Sequence, residues 1–559
     1  MAIPTRNEVP EELKWDLTRI FKNDDEWEQA YAAAQEKVAK LAELKGTLAK
    51  SGKNLYESLT KILAVKRDVE NIYVYATMSS DVDTSNSHYL GYVSRVQSLA
   101  NQFEAATSFI NPEILSIPSD KLEQFKQAEP RLKDYAHYLE TITNKRPHTL
   151  PAEQEKLIAD AGDALSVSEN TFNVLTNSDM EYGYVQDDDG NMEQLSDGLY
   201  SLLIQSQNRD VRKGAFDTLY ATYGQFQNSL ASTLSGVVKK HNYNARVHKY
   251  NSAREAALAD NGVPVAVYDT LIQEVDSHLD LLHRYVALRK KILGLKDLQM
   301  WDMYVPLTGR PSLSYNFEEA KETAKKALAP LGEDYLKHVD YIFNNRVIDP
   351  IESKNKVTGA YSGGAYDTDP YELLNWEDNI DSLYTLVHET GHSVHSWYTR
   401  NTQPYVYGDY PIFVAEIAST TNDNILTEYF LDHITDPKTR AFILNYYLDS
   451  FKGTLFRQTQ FAVFEQFLHE ADAKGEPLTA DTLDDVYGQI NQHYYGDSVE
   501  PGGDIALEWS RIPHFYYNFY VYQYATGFAA ATALANKVVH GTPAERDAYL
   551  GFLKAGSSD

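Results

Sequence analysis

The stretch Val387-His388-Glu389-Thr390-Gly391-His392 decides how this chain is read. On an α-helix, residues four apart share a face, with Cβ atoms about 5–6 Å apart. The imidazoles of His388 and His392 therefore converge on one metal ion at Zn–N distances of about 2.0–2.1 Å. Glu389 lies about 100° further round the helix than His388. It points beside the metal, where a base for a metal-bound water belongs. Upstream, Ile380-Asp381-Ser382-Leu383-Tyr384-Thr385-Leu386-Val387 supplies helix-start residues and then an apolar run, so the motif falls mid-helix and partly buried. Polar groups placed beside Leu383, Leu386 and Val387 need partners, and a metal satisfies them at once.

His395 continues the same stripe, seven residues after His388. Seven residues rise about 10.5 Å, too far for one small ion to reach both ends, so a supporting role is expected for it. A metzincin would carry Gly at 395 and His at 398, where this chain has His395 and Tyr398. The third ligand must come from elsewhere, leaving a fourth position for water. Glu416 is the best candidate, a lone carboxylate in Phe413-Val414-Ala415-Glu416-Ile417-Ala418-Ser419-Thr420, far enough downstream for a loop and a return helix. A solvent-facing helix-start carboxylate is the competing reading. Asp423 shares the Glu416 face and is placed either to orient a ligating imidazole from behind or in a solvated turn.

The composition narrows the function classes. With 51 Lys and Arg against 80 Asp and Glu, the 559-residue chain carries a net charge of −29, which argues against nucleic acid or anionic membrane as a partner. Cysteine is absent, so disulfides, thiolate zinc sites and cysteine nucleophiles are excluded. No apolar signal core opens the sequence and no run of about 18 apolar residues follows; a cytoplasmic location is the expectation. No oligomeric state follows from the sequence.

Helical periodicity dominates. It predicts helices over 24–49, 55–79, 88–109, 121–144 and 151–163, then 211–243 and 264–293. A β-hairpin is expected around 180–191, its Asp187-Asp188-Asp189 run forming a solvated turn rather than a calcium loop. The hairpin divides the chain into an N-terminal helical domain, 1–195, and a catalytic domain, 196–559. Residues 300–305 read as β-like. The segment 357–366, Val-Thr-Gly-Ala-Tyr-Ser-Gly-Gly-Ala-Tyr, combines glycines and β-formers just before the metal helix. Gly359, Tyr361, Gly363 and Gly364 suit a strand and loop that bind an extended peptide through main-chain hydrogen bonds.

Five tyrosines and a histidine crowd into residues 514–524, on a helix opened by Pro513. His514, Tyr517, Val521 and Tyr524 fall on one heptad-like stripe. Most aromatic stripes are core, but buried phenol and imidazole hydrogens need partners, and such donors near an open zinc site bind the oxyanion of a tetrahedral intermediate.

Taken in order, these four blocks resemble the oligoendopeptidase F branch of the thimet oligopeptidase family of zinc metallopeptidases, over most of the chain from about residue 110. The resemblance implies a mainly α fold of two lobes around a deep substrate channel, with a small β-sheet along the cleft. It implies one zinc ion per chain, ligated by His388, His392 and Glu416, with Glu389 as the base. His514 and the tyrosines after it match substrate-binding and transition-state donors, Tyr517 and Tyr524 being favoured. Two departures accompany it. Asp423 stands where the family usually has Glu, and its shorter side chain is expected to weaken or reroute the contact. Relatives usually continue for some tens of residues past the position of Asp559, so a short C-terminal extension is expected to be missing. The expected activity is hydrolysis of internal bonds in short unfolded peptides. A helical zinc carboxypeptidase and a peptide-binding scaffold with a vestigial zinc site remain as alternatives, although structural zinc usually has four protein ligands.

Overall fold

Helix-forming periodicity becomes helix along most of the chain in the computed structural model, which describes residues 3–309, 313–500 and 502–558; the strands are few and short. The mainly α class is as expected, with one two-stranded and one three-stranded sheet among the described residues. The chain gathers into two compact units, Met1–Arg146 with Ser312–Asp432 and Ala530–Asp559, and Pro147–Pro311 with His433–Ala529. Helix packing rather than chain order groups these stretches, so the linear division after residue 195 is not where the units part. That position instead follows the hairpin of Tyr184–Gln186 and Met192–Gln194. At its turn Asp187 accepts the Asp189 and Asn191 amides at 2.9 and 2.7 Å, and Gly190 takes φ 86°.

In the first unit, helix Asp24–Leu41 starts where the Asn23 side chain accepts the Glu26 amide at 3.0 Å. Asp24, Asp25 and Glu26 then face the positive end of the helix dipole. Its buried residues, Trp27, Tyr31, Ala34, Val38 and Leu41, recur at spacings of three and four, a single apolar stripe. Trp27 stacks on Tyr92 of helix Ser87–Thr107 at 3.7 Å and donates to the Ile72 carbonyl of helix Gly52–Asp81 at 2.9 Å. The predicted helix 121–144 is interrupted at Pro130, which cannot donate to the helix ladder.

The three-stranded sheet of this unit leads into the helix that carries His388 and His392. Its order is Ile348–Asp349, Tyr371–Leu373, Tyr361–Gly363, the first pair parallel and the second antiparallel. The buried Lys356 ammonium donates to the carbonyls of Asp349, Ile351 and Leu374 at 2.9, 2.8 and 2.6 Å. It shares the Asp349 carboxylate with Arg6, so the N-terminal segment and the sheet are clamped together.

In the second unit the predicted long helices divide, 211–243 at Phe226 and 264–293 at His278. The β-like 300–305 is instead a 3-10 turn, Met300–Asp302. Its cause is Asp302, whose wholly buried carboxylate takes Arg212 at 2.7 Å, Arg209 at 2.8 Å and the Gln299 amide at 3.0 Å. Two guanidiniums on one carboxylate outweigh a local strand preference. Among the described residues, no helix is long and apolar enough to cross a membrane.

Candidate active site

Helix Ile380–Thr402 begins where the Asn379 side chain accepts the Ser382 amide at 2.8 Å. It runs unbroken through the motif, which sets the His388 and His392 rings 5.0 Å apart. The return helix Ile412–His433 brings Glu416 onto them, with its Oε2 3.3 Å from His388 Nε2 and 3.7 Å from His392 Nε2. One donor atom from each of the three residues lies within 4.8 Å of the others. Around a tetrahedral ion with bonds of about 2.1 Å, ligand atoms sit roughly 3.4 Å apart. The trio therefore fits a zinc-sized ion with nitrogen and oxygen donors.

Two turns along the return helix, Asp423 accepts a hydrogen bond from His388 Nδ1 at 2.8 Å. The shorter carboxylate thus makes its contact, and a proton held on Nδ1 by that bond would leave Nε2 as the ligating atom toward an ion beside Glu416. Glu389 is buried, 8% exposed. Burial pushes its carboxyl up to about 7; His388 and the nearby Ser362 backbone oppose the shift, and Glu416 and Asp423 add to it. A carboxylate poised near neutrality can take up and release a proton within one cycle.

Three features of this centre were not singled out from the sequence. Gly391 is where the two helices touch backbone to backbone: a Cβ there would lie 2.6 Å from Ser419 Cα and 3.0 Å from the Ala418 carbonyl. The glycine inside the motif was the available signal, since glycine in mid-helix is costly without a packing reason. Asn422 ties the helices further, donating to the Val387 carbonyl at 3.2 Å. The third is Glu372 of the central strand, wholly buried, whose oxygens face Ser393 and Thr390 of the metal helix without a well-formed hydrogen bond. Burial pushes its carboxyl up to about 8. A glutamate between Tyr371 and Leu373 reads as the solvent side of an alternating strand, so nothing local disclosed it.

His395 stacks on Tyr410 at 3.7 Å and is buried, apart from the ligand trio; burial holds its imidazole neutral, down to about 3. Of the glycine-rich segment, Gly359 (φ 82°) lines a cavity of about 290 Å³ with Trp376, Ser382 and Thr385. Tyr361 is engaged elsewhere, donating to Asp81 at 2.7 Å. Gly363 and Gly364 are hemmed in; a Cβ on Gly364 (φ 149°) would lie 2.7 Å from the Asp369 carbonyl. Strand Tyr361–Gly363 is at the edge of its sheet.

The aromatic group of 514–524 belongs to the second unit and departs from the predicted helix. A 3-10 turn, Pro513–Tyr516, is followed by left-handed Asn518 (φ 44°) and Phe519 (φ 59°), and helix starts again at Tyr522. The reversal is held by the wholly buried Glu465, which accepts the Phe519 amide at 2.6 Å. His514 Nε2 and the Tyr524 hydroxyl are 3.3 Å apart, with the rings of Tyr517 and Tyr520 5.7 and 6.2 Å from the imidazole. Tyr520 therefore joins the group, while Val521, placed on its stripe by heptad counting, is wholly buried. Tyr517 is half-exposed, and burial lowers the His514 pKa, leaving a neutral imidazole.

Comparison with known proteins gives one answer. Residues 202–559 match the family model Peptidase family M3, and residues 113–182 match that of Oligopeptidase F. The chain is 50% identical to Oligopeptidase PepF of Bacillus subtilis over 557 residues, covering 100% of this chain and 83% of that protein. It is 48% identical to the plasmid-encoded Oligoendopeptidase F of Lactococcus lactis subsp. cremoris, covering 99% and 92%. The crystal structure of oligoendopeptidase-F from Enterococcus faecium superposes with a TM-score of 0.73 at 44% identity, covering 95% of this chain and 91% of that one. The chain therefore belongs to peptidase family M3, in the oligoendopeptidase F branch, and is a metalloendopeptidase.

Proposed function

We propose that the enzyme is zinc-dependent and hydrolyses internal bonds of short, unfolded oligopeptides, with His388, His392 and Glu416 holding the ion. One observation carries this reading: two imidazoles and a carboxylate converge within 4.8 Å beside the buried carboxylate of Glu389. Zinc bound there supplies Lewis acidity, lowering the pKa of water towards about 7 and polarising the scissile carbonyl. Glu389 takes the proton of the attacking water and later hands it to the leaving amine. Asp423 keeps His388 in the tautomer that leaves Nε2 free to ligate. His514, Tyr517 and Tyr524 are assigned hydrogen-bond donation to the developing oxyanion, a role suited to a neutral imidazole and phenols. The edge strand Tyr361–Gly363, with Gly359 and Gly364 flanking it, is assigned main-chain pairing with an extended substrate.

An end-blocked, internally quenched peptide of about ten residues tests the reading. Internal cleavage is expected, abolished by a chelator and restored by zinc. Glu389→Gln is expected to retain zinc, measured by atomic absorption, while losing turnover by roughly 10²- to 10⁴-fold. Normal turnover in that variant removes Glu389 from the mechanism. On a second peptide with its C-terminus free, release of single C-terminal residues without internal cleavage would instead identify a carboxypeptidase.

A further inference from the structure

Within the second unit, a cavity of about 590 Å³ is lined by Pro513 and Tyr517, which flank His514 in sequence. Tyr200 and Tyr304 contribute to its aromatic wall, and two guanidiniums, Arg457 and Arg511, also line it. Among the described residues, one buried carboxylate, Glu508, pairs with both. Arg457 donates to its two oxygens at 2.7 and 3.2 Å, and the Tyr487 hydroxyl donates at 2.5 Å. Glu508 is thereby taken up. Arg511 approaches it only to 3.6 Å, beyond a hydrogen bond, and its Nε is buried without a partner. The guanidinium lies over the Tyr200 ring at 5.6 Å. Asp197 also lines the cavity, but it is exposed and accepts the Tyr182 hydroxyl at 3.2 Å, so water screens its charge.

Two cations against one buried carboxylate leave a positive charge beside a tyrosine-lined space, and the Arg511 guanidinium, paired with Glu508 only at 3.6 Å, keeps donors free for a closer acceptor. The planar fork of arginine matches a carboxylate in a way that a point charge does not. The volume falls in the range of ligand pockets, roughly 300–1,000 Å³. We propose that this cavity binds a carboxylate of the peptide substrate, with Arg511 as its donor and Tyr200 and Tyr304 beside the residue that bears it. The proposal rests on the peptidase reading for its ligand. That carboxylate has two sources, the peptide C-terminus or an acidic side chain.

Four versions of one peptide distinguish the sources: C-terminal acid or amide, each with an interior Glu or Gln. Binding is measured by calorimetry on the Glu389→Gln chain, so that the peptides stay whole. One of the two neutralisations is expected to weaken binding by about tenfold or more, which identifies the source. Arg511→Met on that background is expected to reduce the discrimination to within about twofold. Because that variant disturbs a buried cluster, Ser201→Glu provides a second reading. Ser201 is exposed and lines the same cavity, so its added charge is expected to weaken binding of the preferred peptide selectively. Equal binding of all four peptides, or a preference that survives both substitutions, overturns the proposal. Cleavage of the same peptides by the unaltered chain is scored separately. Cleavage without carboxylate preference ends the site alone, and a carboxylate preference without cleavage ends the peptidase reading alone.

Discussion

The His388–His392–Glu416 cluster stands on two regular helices in backbone contact, whereas the His514 group stands on a reversed turn between a 3-10 turn and a helix. In the first, sequence spacing is converted directly into geometry, because 3.6 residues per turn put His388 and His392 on one face. In the second, two left-handed residues cancel the spacing, and a distant carboxylate, Glu465, holds the result in place. Regular elements preserve positional information; irregular ones take it from whatever they pack against.

This contrast can be broken by experiment. His514→Phe keeps the ring stacking but removes the imidazole donor. If it serves the oxyanion, kcat is expected to fall by roughly 10²- to 10³-fold while zinc stoichiometry stays at one. Zinc loss in that variant would show that the two groups do not act separately. Asp423→Asn should do the reverse, reducing metal affinity by roughly 10- to 100-fold in a competitive chelator titration, through the tautomer and basicity of His388. Unchanged affinity would reduce the 2.8 Å contact to packing.

Gly391→Ala tests the backbone contact between the helices. Its Cβ, 2.6 Å from Ser419 Cα, has to push the helices apart, and overpacking of this kind typically costs about 1–3 kcal/mol. A lower Tm and weaker zinc binding are expected together; a Tm equal to the parent's would mean that the crossing is loose.

The smallest effect concerns Glu372. Burial raises its pKa from 4.5 to about 8, so the folded chain keeps a proton that the unfolded chain releases. Its contribution to stability is complete below pH 4.5 and is lost as pH rises towards 8. Glu372→Gln preserves the shape and cannot ionise, so the metal-free Tm should fall less steeply between about pH 5 and 8. Glu389 and Glu465 are raised in the same direction, so the slope flattens rather than vanishes. An identical slope in the variant would assign the loss to those groups.

Much of the candidate site was legible in the residues. The histidine pair and Glu389 follow from helical spacing, and Glu416 from a lone carboxylate in an apolar segment. The helices were legible as stripes, such as Trp27 to Leu41, but not where a long-range partner intervened. The strand read into 300–305 gave way to the ion pairs of Asp302, and the helix read through 513–527 gave way to Glu465. Glu372 and the Arg457–Glu508–Arg511 group carry no local pattern, since each is defined by which chain segments surround it.

By itself, then, the sequence determined the helical class, the His388–Glu389–His392 arrangement and the exclusion of thiol chemistry, because these depend on residue identity and on spacing within one helix. Only the tertiary structure decided that Glu416 meets both imidazoles, that Gly391 allows this approach, that Tyr520 rather than Val521 joins His514, and that Arg511 is left without a full partner. Those facts depend on distances between residues far apart in the chain, which are set by packing and burial.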